Sequence, residues 1–115
     1  MDFNFSEQQR MIRDMARDFA QRAIVPVAAE LDHEERFPAE IVKQMGELGF
    51  MGMNVPGSLG GAGLDTICYV LAMEEVSKAC GSCGVIMSVN NSLVCWPLET
   101  YGSEEQKDRF LKPLA

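Results

Sequence analysis

The sequence predicts an all-α domain of five or six helices, from its apolar periodicity, its glycine-rich breaks and the lack of any strand pattern. Apolar residues recur at steps of three and four along most of the 115 residues, as they do on one face of a helix. No stretch alternates apolar and polar residues with the period of two that a half-buried strand requires. The apolar fraction of 47% is ordinary for a globular protein, and the length corresponds to one domain.

The first helix is predicted to begin at Ser6, because Gln9 follows at the spacing of a capping box. The same spacing recurs at Ser103 and Gln106. Pro26 is expected to kink or end the first helix, since proline has no N–H and its ring clashes with the preceding turn. The apolar face of this helix consists of Met11, Ile12, Met15, Ala16, Phe19 and Ala23.

Two more helices follow, separated by a loop. Pro38 fits the first turn of the second helix, and Gly49 is its expected end. The run 57–63 contains four glycines, which penalise regular structure, and is predicted to be a loop. Asp65 is the predicted cap of a third helix that extends to about Lys78.

In this third helix, Ile67, Val70, Leu71 and Met73 are predicted to be buried. Glu74, Glu75 and Lys78 are predicted to point toward solvent.

The remainder of the chain predicts up to three helices. The run 80–84 contains two glycines and is expected to break the chain. A fourth helix is predicted from Val85 to about Leu93, and a fifth around 97–101. The last helix is predicted from Glu104 to Lys112 and is expected to stop at Pro113.

Charge and hydropathy exclude several classes of function. The formal net charge of −7 would repel a phosphate backbone, so we expect no nucleic-acid partner. No apolar run approaches the roughly 20 residues of a membrane-spanning helix. The acidic, polar N-terminus is unlike a targeting peptide. We therefore expect a cytoplasmic protein, or a mitochondrial-matrix protein whose transit peptide has been removed.

Cys80 and Cys83 have the spacing of redox motifs and of zinc ligand pairs. A tetrahedral zinc site needs four ligands, and Cys68, Cys95 and His33 supply no second pair at a suitable spacing. A redox motif usually follows a strand, whereas a helix precedes this one. The favoured interpretation is a glycine turn with two small buried hydrophobic residues, and a thiol redox protein is an alternative.

No catalytic centre is evident from the residues alone. His33 is the only histidine, and the sequence places no nucleophile beside it. The glycine run 57–63 lacks the lysine of a phosphate-binding loop.

The segment 85–94 is unusual because, on a helical wheel, it has two apolar faces. The first comprises Val85, Ile86, Val89 and Leu93, and the second Met87, Asn90, Asn91 and Val94. A helix with two such faces is packed from both sides. The second face suits either a pocket for an apolar ligand with amide anchors, or an ordinary core whose amides cap neighbouring helices.

Several stretches, in their order and spacing, resemble the N-terminal helical domain of acyl-CoA dehydrogenases, and most closely the short-chain (butyryl-CoA) branch. They are 19–20 with 26–29, 48–50, 55–56 with 59–65, 73–75, 84–93 (Gly-Val-Ile-Met-Ser-Val-Asn-Asn-Ser-Leu) and 101–107. The resemblance covers essentially residues 1–115, as one domain without the middle β-domain and C-terminal helical domain of the family.

The resemblance implies an FAD-dependent oxidoreductase that converts acyl-CoA to trans-2-enoyl-CoA in fatty-acid β-oxidation, passes electrons to electron-transfer flavoprotein and assembles as a homotetramer. It implies that one helix lines the acyl pocket, through Ile86, Met87, Asn90, Asn91 and Leu93. The catalytic glutamate and the FAD-binding segments are expected beyond residue 115, so this chain alone is expected to be inactive and to bind no FAD.

Two other interpretations stay open at this point. One is a stand-alone helical binding or interaction module without catalysis. The other is an acyl-CoA oxidase, which has the same fold.

Overall fold

The computed structural model describes all 115 residues and contains six continuous helices and no strand. This confirms the predicted all-α class. Their bounds are α1 (Glu7–Phe19, continued by a π turn at Ala20–Ile24), α2 (Ala28–His33), α3 (Ala39–Glu47), α4 (Thr66–Ala79), α5 (Gly81–Val89, continued by a π turn at Asn90–Cys95 and by Trp96–Tyr101) and α6 (Glu104–Gln106, continued by a π turn at Lys107–Leu111 and by Lys112–Leu114). No helix is both long enough and apolar enough to cross a membrane.

The predicted helix caps are present. The Ser6 hydroxyl accepts a hydrogen bond from the Gln9 N–H at 3.1 Å, and the Gln9 side chain accepts one from the Ser6 N–H at 2.9 Å. Ser103 and Gln106 form the same reciprocal pair. The Asp65 carboxylate accepts a hydrogen bond from the Cys68 N–H at 2.7 Å and caps α4. Each cap satisfies backbone donors that the first turn leaves unpaired.

Gly49 ends α3 as the sequence predicts. Its φ of 81° is in the left-handed region, which favours glycine. The Phe50 N–H then bonds the Met45 carbonyl at 2.8 Å, and the Gly49 N–H bonds the Gly46 carbonyl at 3.0 Å. These two bonds form a complete Schellman motif, which turns the chain away from the helix axis.

One proline, Pro113, does not act as the sequence predicts. Pro97 and Pro113 lie inside continuous helices, although Pro113 was expected to end the last one. In both cases the residue before the proline donates its N–H to the carbonyl five residues earlier, Trp96 to Asn91 and Lys112 to Lys107. The wider π turn accommodates the proline ring, so the helix continues. A π turn also precedes Pro26, where α1 does end.

The predicted break at 80–84 is present but is limited to Cys80, the single residue between α4 and α5. Cys80 has an extended backbone and α5 begins at Gly81, four residues earlier than expected. Gly84 lies against Ser77 of α4, where a β-carbon would clash with the serine side chain. The glycine therefore permits a close helix crossing and does not form a loop. The expected fourth and fifth helices are one helix, α5.

The core forms where α4 packs between α1 and α5. Phe19 of α1 and Phe50, which follows α3, meet edge to face with ring centroids 6.0 Å apart. Leu71 is buried as predicted, whereas Ile67 and Val70 are 49% and 54% exposed. The main buried cluster comprises Ala16, Phe19, Ala20, Ile24, Leu31, Ile41, Met45, Phe50, Met53, Cys68, Ala72, Val76, Cys83 and Met87.

Glu75 is buried, not solvent-facing as its position in the sequence suggested. Its carboxylate pairs with the Arg17 guanidinium of α1 at 2.9 Å. A buried carboxylate needs such a partner to offset the loss of hydration. The pair therefore fixes α1 against α4 at the edge of the core.

Candidate functional site

The largest apolar concavity is an open groove of about 650 Å³ between α5, α3 and the last residues of α6. A groove of this size and character suits an apolar ligand. We call it the α5 groove. Its lining residues are Val42, Gly46, Met51, Val85, Ile86, Val89, Asn90, Val94, Pro113, Leu114 and Ala115.

Asn90 is the polar side chain of the α5 groove, and its amide joins two of the groove walls. The Asn90 Nδ2 donates to the Met51 carbonyl at 2.7 Å and to the Leu114 carbonyl at 2.8 Å. Both amide hydrogens are therefore engaged in hydrogen bonds. The Oδ1 has no hydrogen-bond donor within the protein, which leaves one acceptor in an otherwise apolar groove.

Asn91 and Met87 belong to the core behind the α5 groove. The Asn91 Oδ1 accepts from the Met53 N–H at 2.8 Å, and its Nδ2 donates to the carbonyls of Phe50 and Met87 at 2.8 and 2.9 Å. The side chain of Met87 is fully buried. Asn91 thus holds the segment after α3 against α5 and supports the groove wall that Met51 forms.

The α5 groove falls between the two faces of the helical wheel. Val85, Ile86 and Val89 come from the first face, whereas Asn90 and Val94 come from the second. Of the five residues predicted for the acyl pocket, Ile86 and Asn90 line this groove, Met87 and Asn91 lie behind it, and Leu93 is 70% exposed.

The opposite walls of the groove could not be predicted from the sequence. Val42, Gly46 and Met51 approach α5 only through tertiary packing, and no local pattern in the sequence marks them as ligand contacts.

The α5 groove carries no ionisable side chain. It therefore offers no general acid or base, and no cation for the pyrophosphate of a dinucleotide cofactor. The lining of the α5 groove therefore suits an aliphatic chain and not a dinucleotide such as FAD. The nearest ionisable side chain is Cys95, which lies behind the groove with its Sγ 3.6 Å from the Asn90 Nδ2, and burial raises the pKa of its thiol.

The other candidate groups do not form a catalytic or metal centre. His33 lies on the exposed end of α2. No three histidine, cysteine or carboxylate side chains come together as a metal-binding cluster. All four cysteines are free thiols, with Cys80 and Cys83 at the start of α5.

The comparisons with known proteins agree on one family. Residues 6–115 match the family model described as the N-terminal domain of acyl-CoA dehydrogenase. The mitochondrial short-chain specific acyl-CoA dehydrogenase of Bos taurus is 54% identical over 107 residues, which cover 93% of this chain and 26% of the bovine protein.

Two solved structures share this fold. Butyryl-CoA dehydrogenase from Megasphaera elsdenii superposes with a TM-score of 0.92 at 32% identity, over 99% of this chain and 30% of that one. A structure described as the electron transferring flavoprotein of Acidaminococcus fermentans gives a TM-score of 0.95 at 43% identity, over 100% of this chain and 30% of that one. The chain thus spans less than a third of the length of the proteins that it matches.

Proposed function

The chain belongs to the acyl-CoA dehydrogenase family, and we propose on that basis that it forms the acyl-pocket wall of a short-chain acyl-CoA dehydrogenase. The reaction is the α,β-dehydrogenation of an acyl-CoA thioester to the trans-2-enoyl-CoA. The observation that carries the proposal is the uncharged α5 groove with one amide, Asn90, among its lining residues.

The chemistry of the groove suits a short aliphatic chain. Each methylene transferred from water to apolar side chains contributes about 0.8 kcal/mol. A butyryl tail offers few methylenes, so close contact with Ile86 and Val89 is worth a large share of its binding free energy. The walls carry no charge that would require compensation by the ligand.

The five predicted residues divide into three roles in this proposal. Ile86 and Asn90 contact the acyl chain, since both line the α5 groove. Met87 and Asn91 hold the groove wall in place from the core side. Leu93 acts indirectly, through packing against other parts of the enzyme, because its side chain lies outside the groove and is exposed.

The proposal assigns residues 1–115 to binding and domain packing, and not to the chemical step. FAD supplies the hydride acceptor in this reaction, and both its binding segments and the catalytic glutamate are expected in the middle and C-terminal domains. The exposed apolar side chains of Leu93 and Trp96 on α5, outside the groove, are consistent with packing against such domains.

The partners and location follow from the same family assignment. We propose electron-transfer flavoprotein as the electron acceptor and a homotetramer as the assembly. The mitochondrial name of the bovine relative and the bacterial source of the butyryl-CoA dehydrogenase support two locations, the mitochondrial matrix or the bacterial cytoplasm.

The test is a change of acyl-chain preference in the full-length enzyme. Ile86→Phe narrows the groove, so the kcat/KM for hexanoyl-CoA relative to butyryl-CoA should fall by about tenfold or more. A difference of one methylene in a tight apolar pocket commonly changes kcat/KM by at least this factor. Ile86→Ala should raise the same ratio. Rates are measured with an artificial electron acceptor, so that flavoprotein docking does not limit them.

Ile67→Phe is the matched control, because it adds the same bulk at an exposed position of α4. An unchanged ratio in both Ile86 variants would refute the assignment of the α5 groove to the acyl chain. In addition, a polypeptide of residues 1–115 should show no turnover of butyryl-CoA, and measurable turnover would place the chemistry within these residues.

A further inference from the structure

Cys80 and Cys83 form a pair of free thiols at the joint between α4 and α5, outside the α5 groove. We propose that this pair is a site of reversible thiol–disulfide exchange with low-molecular-weight disulfides, in which Cys80 attacks and Cys83 completes an internal disulfide. The proposal is independent of the acyl-pocket assignment.

The backbone holds the two cysteines one helical turn apart. Cys80 is the N-cap of α5, and its carbonyl accepts the Gly84 N–H at 3.0 Å, which closes the first turn. Both side chains line the same cavity, so they lie on one side of this turn. A disulfide needs α-carbons about 4.4–6.8 Å apart and β-carbons close to 4 Å, so a small adjustment of the turn suffices.

The extended backbone of Cys80 makes that adjustment feasible. Its φ of −157° and ψ of 114° lie outside the helix, and it is the single residue between α4 and α5. Gly81 has open space around the position of a β-carbon, so the turn can tighten without a clash there.

The surroundings make the Cys80 thiol more accessible to a small reagent than the Cys83 thiol. Cys80 is partly exposed and Cys83 is fully buried. Both line a cavity of about 550 Å³ between α2 and the start of α5. Asp32, Glu35 and Arg36 also line it, and Arg36 already pairs with Glu34 at 3.1 Å. The cavity is therefore acidic and favours a cationic reagent over an anionic one.

The order of the two steps follows from burial. Burial and hydrogen bonding to the Cys80 thiol raise the pKa of the Cys83 thiol to about 12, so Cys83 stays protonated. Since only a thiolate attacks a disulfide, the more accessible Cys80 reacts first.

The exchange needs no reactant other than the small disulfide. The Cys80 thiolate attacks the reagent R–S–S–R, which forms the mixed disulfide Cys80–S–S–R and releases one RS⁻. Cys83 then loses its proton to RS⁻ or water and attacks the Cys80 sulfur, which releases the second RS⁻. Overall, the two protein thiols are oxidised to one disulfide, and the reagent is reduced to two thiols.

The experiment uses cystamine, a cationic disulfide, on the native full-length protein, followed by acid quenching, alkylation and peptide mass mapping. The expected product is a peptide that has lost two hydrogens and links Cys80 to Cys83, and dithiothreitol should restore it. Cys83→Ser should retain the mixed disulfide on Cys80. Cys80→Ser should slow modification of residue 83 by at least about tenfold, since the remaining thiol is buried.

Cys95→Ser serves as the control, because it removes another buried thiol and should leave the internal disulfide unchanged. The wild-type mapping needs no variant, so a variant that fails to fold does not prevent the test. Cystamine retained on Cys80 of the wild-type protein, or reaction of either thiol only after denaturation, would overturn the proposal.

Discussion

Arg17 of α1 donates two hydrogen bonds to the carboxylate of Glu75 on α4, from Nη2 to Oε1 at 2.9 Å and from Nε to Oε2 at 3.3 Å. The Glu75 side chain is 7% exposed, whereas the Arg17 side chain is 51% exposed. The Arg17 hydrogen bonds hold the pKa of Glu75 below its ordinary value of 4.5, against the opposing effect of burial. The pair is thus an interhelical contact that depends on an ionised carboxylate.

Glu75→Gln is expected to lower the free energy of unfolding by about 1 kcal/mol near neutral pH, because a charged hydrogen-bond acceptor is lost. A depressed folded-state pKa stabilises the protein above the unfolded pKa, and this contribution is lost as the pH falls through the folded value. The difference between the variant and the wild type should therefore shrink as the pH falls well below 4.5.

Thermal unfolding at several pH values measures this effect. Glu74→Gln is the control, since Glu74 is exposed and its pair with Lys78 at 2.8 Å lies on the surface. A Glu75→Gln difference that stays constant down to acidic pH would show that the ionised carboxylate contributes no stability.

Asn91→Ala should destabilise the protein by roughly 2–4 kcal/mol. The substitution leaves the Met53 N–H and the Phe50 carbonyl without their partners in the core, and each unsatisfied buried group costs about 1–3 kcal/mol. Asn54→Ala removes one hydrogen bond, to the Leu64 carbonyl, at an exposed position and should cost below about 1 kcal/mol.

Denaturant unfolding of the two variants compares these costs. Equal losses of stability would mean that water replaces the Asn91 amide in the core, contrary to the burial of this side chain.

Gly84→Ala tests the close crossing of α4 and α5. A β-carbon at residue 84 would clash with the Ser77 side chain, so the helices must separate, at a cost of about 1–3 kcal/mol. Gly81→Ala is the matched control in the same helix. Its β-carbon would meet no atom within 4 Å, so alanine should be neutral or should stabilise by up to about 1 kcal/mol.

The melting temperature of Gly84→Ala should therefore fall, whereas that of Gly81→Ala should stay the same or rise. If Gly84→Ala also raised the melting temperature, the residue would be a glycine without a packing role, as expected for the glycine turn that the sequence predicted at 80–84.

Features that depend on a few neighbouring residues could be predicted from the sequence. Ser6 and Gln9 form their capping box within one turn, and Gly49 adopts its left-handed conformation for local reasons. The continuation of α5 past Pro97 could not be predicted, because the π turn that permits it is not encoded by a known local pattern.

Features that depend on residues far apart in the chain could not be predicted from the sequence for a different reason. Glu75 is buried because Arg17 lies across from it on α1, 58 positions away in the chain. The α5 groove was only half predicted, since Ile86 and Asn90 lie on one helix whereas Val42 and Met51 approach from α3 and the turn after it. A helical wheel describes one helix and cannot indicate which face its neighbours leave open.

Asn90→Ala in the full-length enzyme should raise the KM for butyryl-CoA several-fold and leave kcat within about twofold, as expected when a group contributes equally to ground-state and transition-state binding. The Asn90 amide joins the Met51 and Leu114 carbonyls, so its loss loosens two groove walls without removing any proton-transfer group. Ser92→Ala is the control on the same helix, because the exposed Ser92 hydroxyl donates only to the Ser88 carbonyl. Steady-state kinetics and isothermal titration with a non-reactive acyl-CoA analogue separate binding from turnover. A large fall in kcat with unchanged KM would instead assign Asn90 to the chemical step, and the α5 groove would then be part of the reaction centre and not only a wall of the acyl pocket.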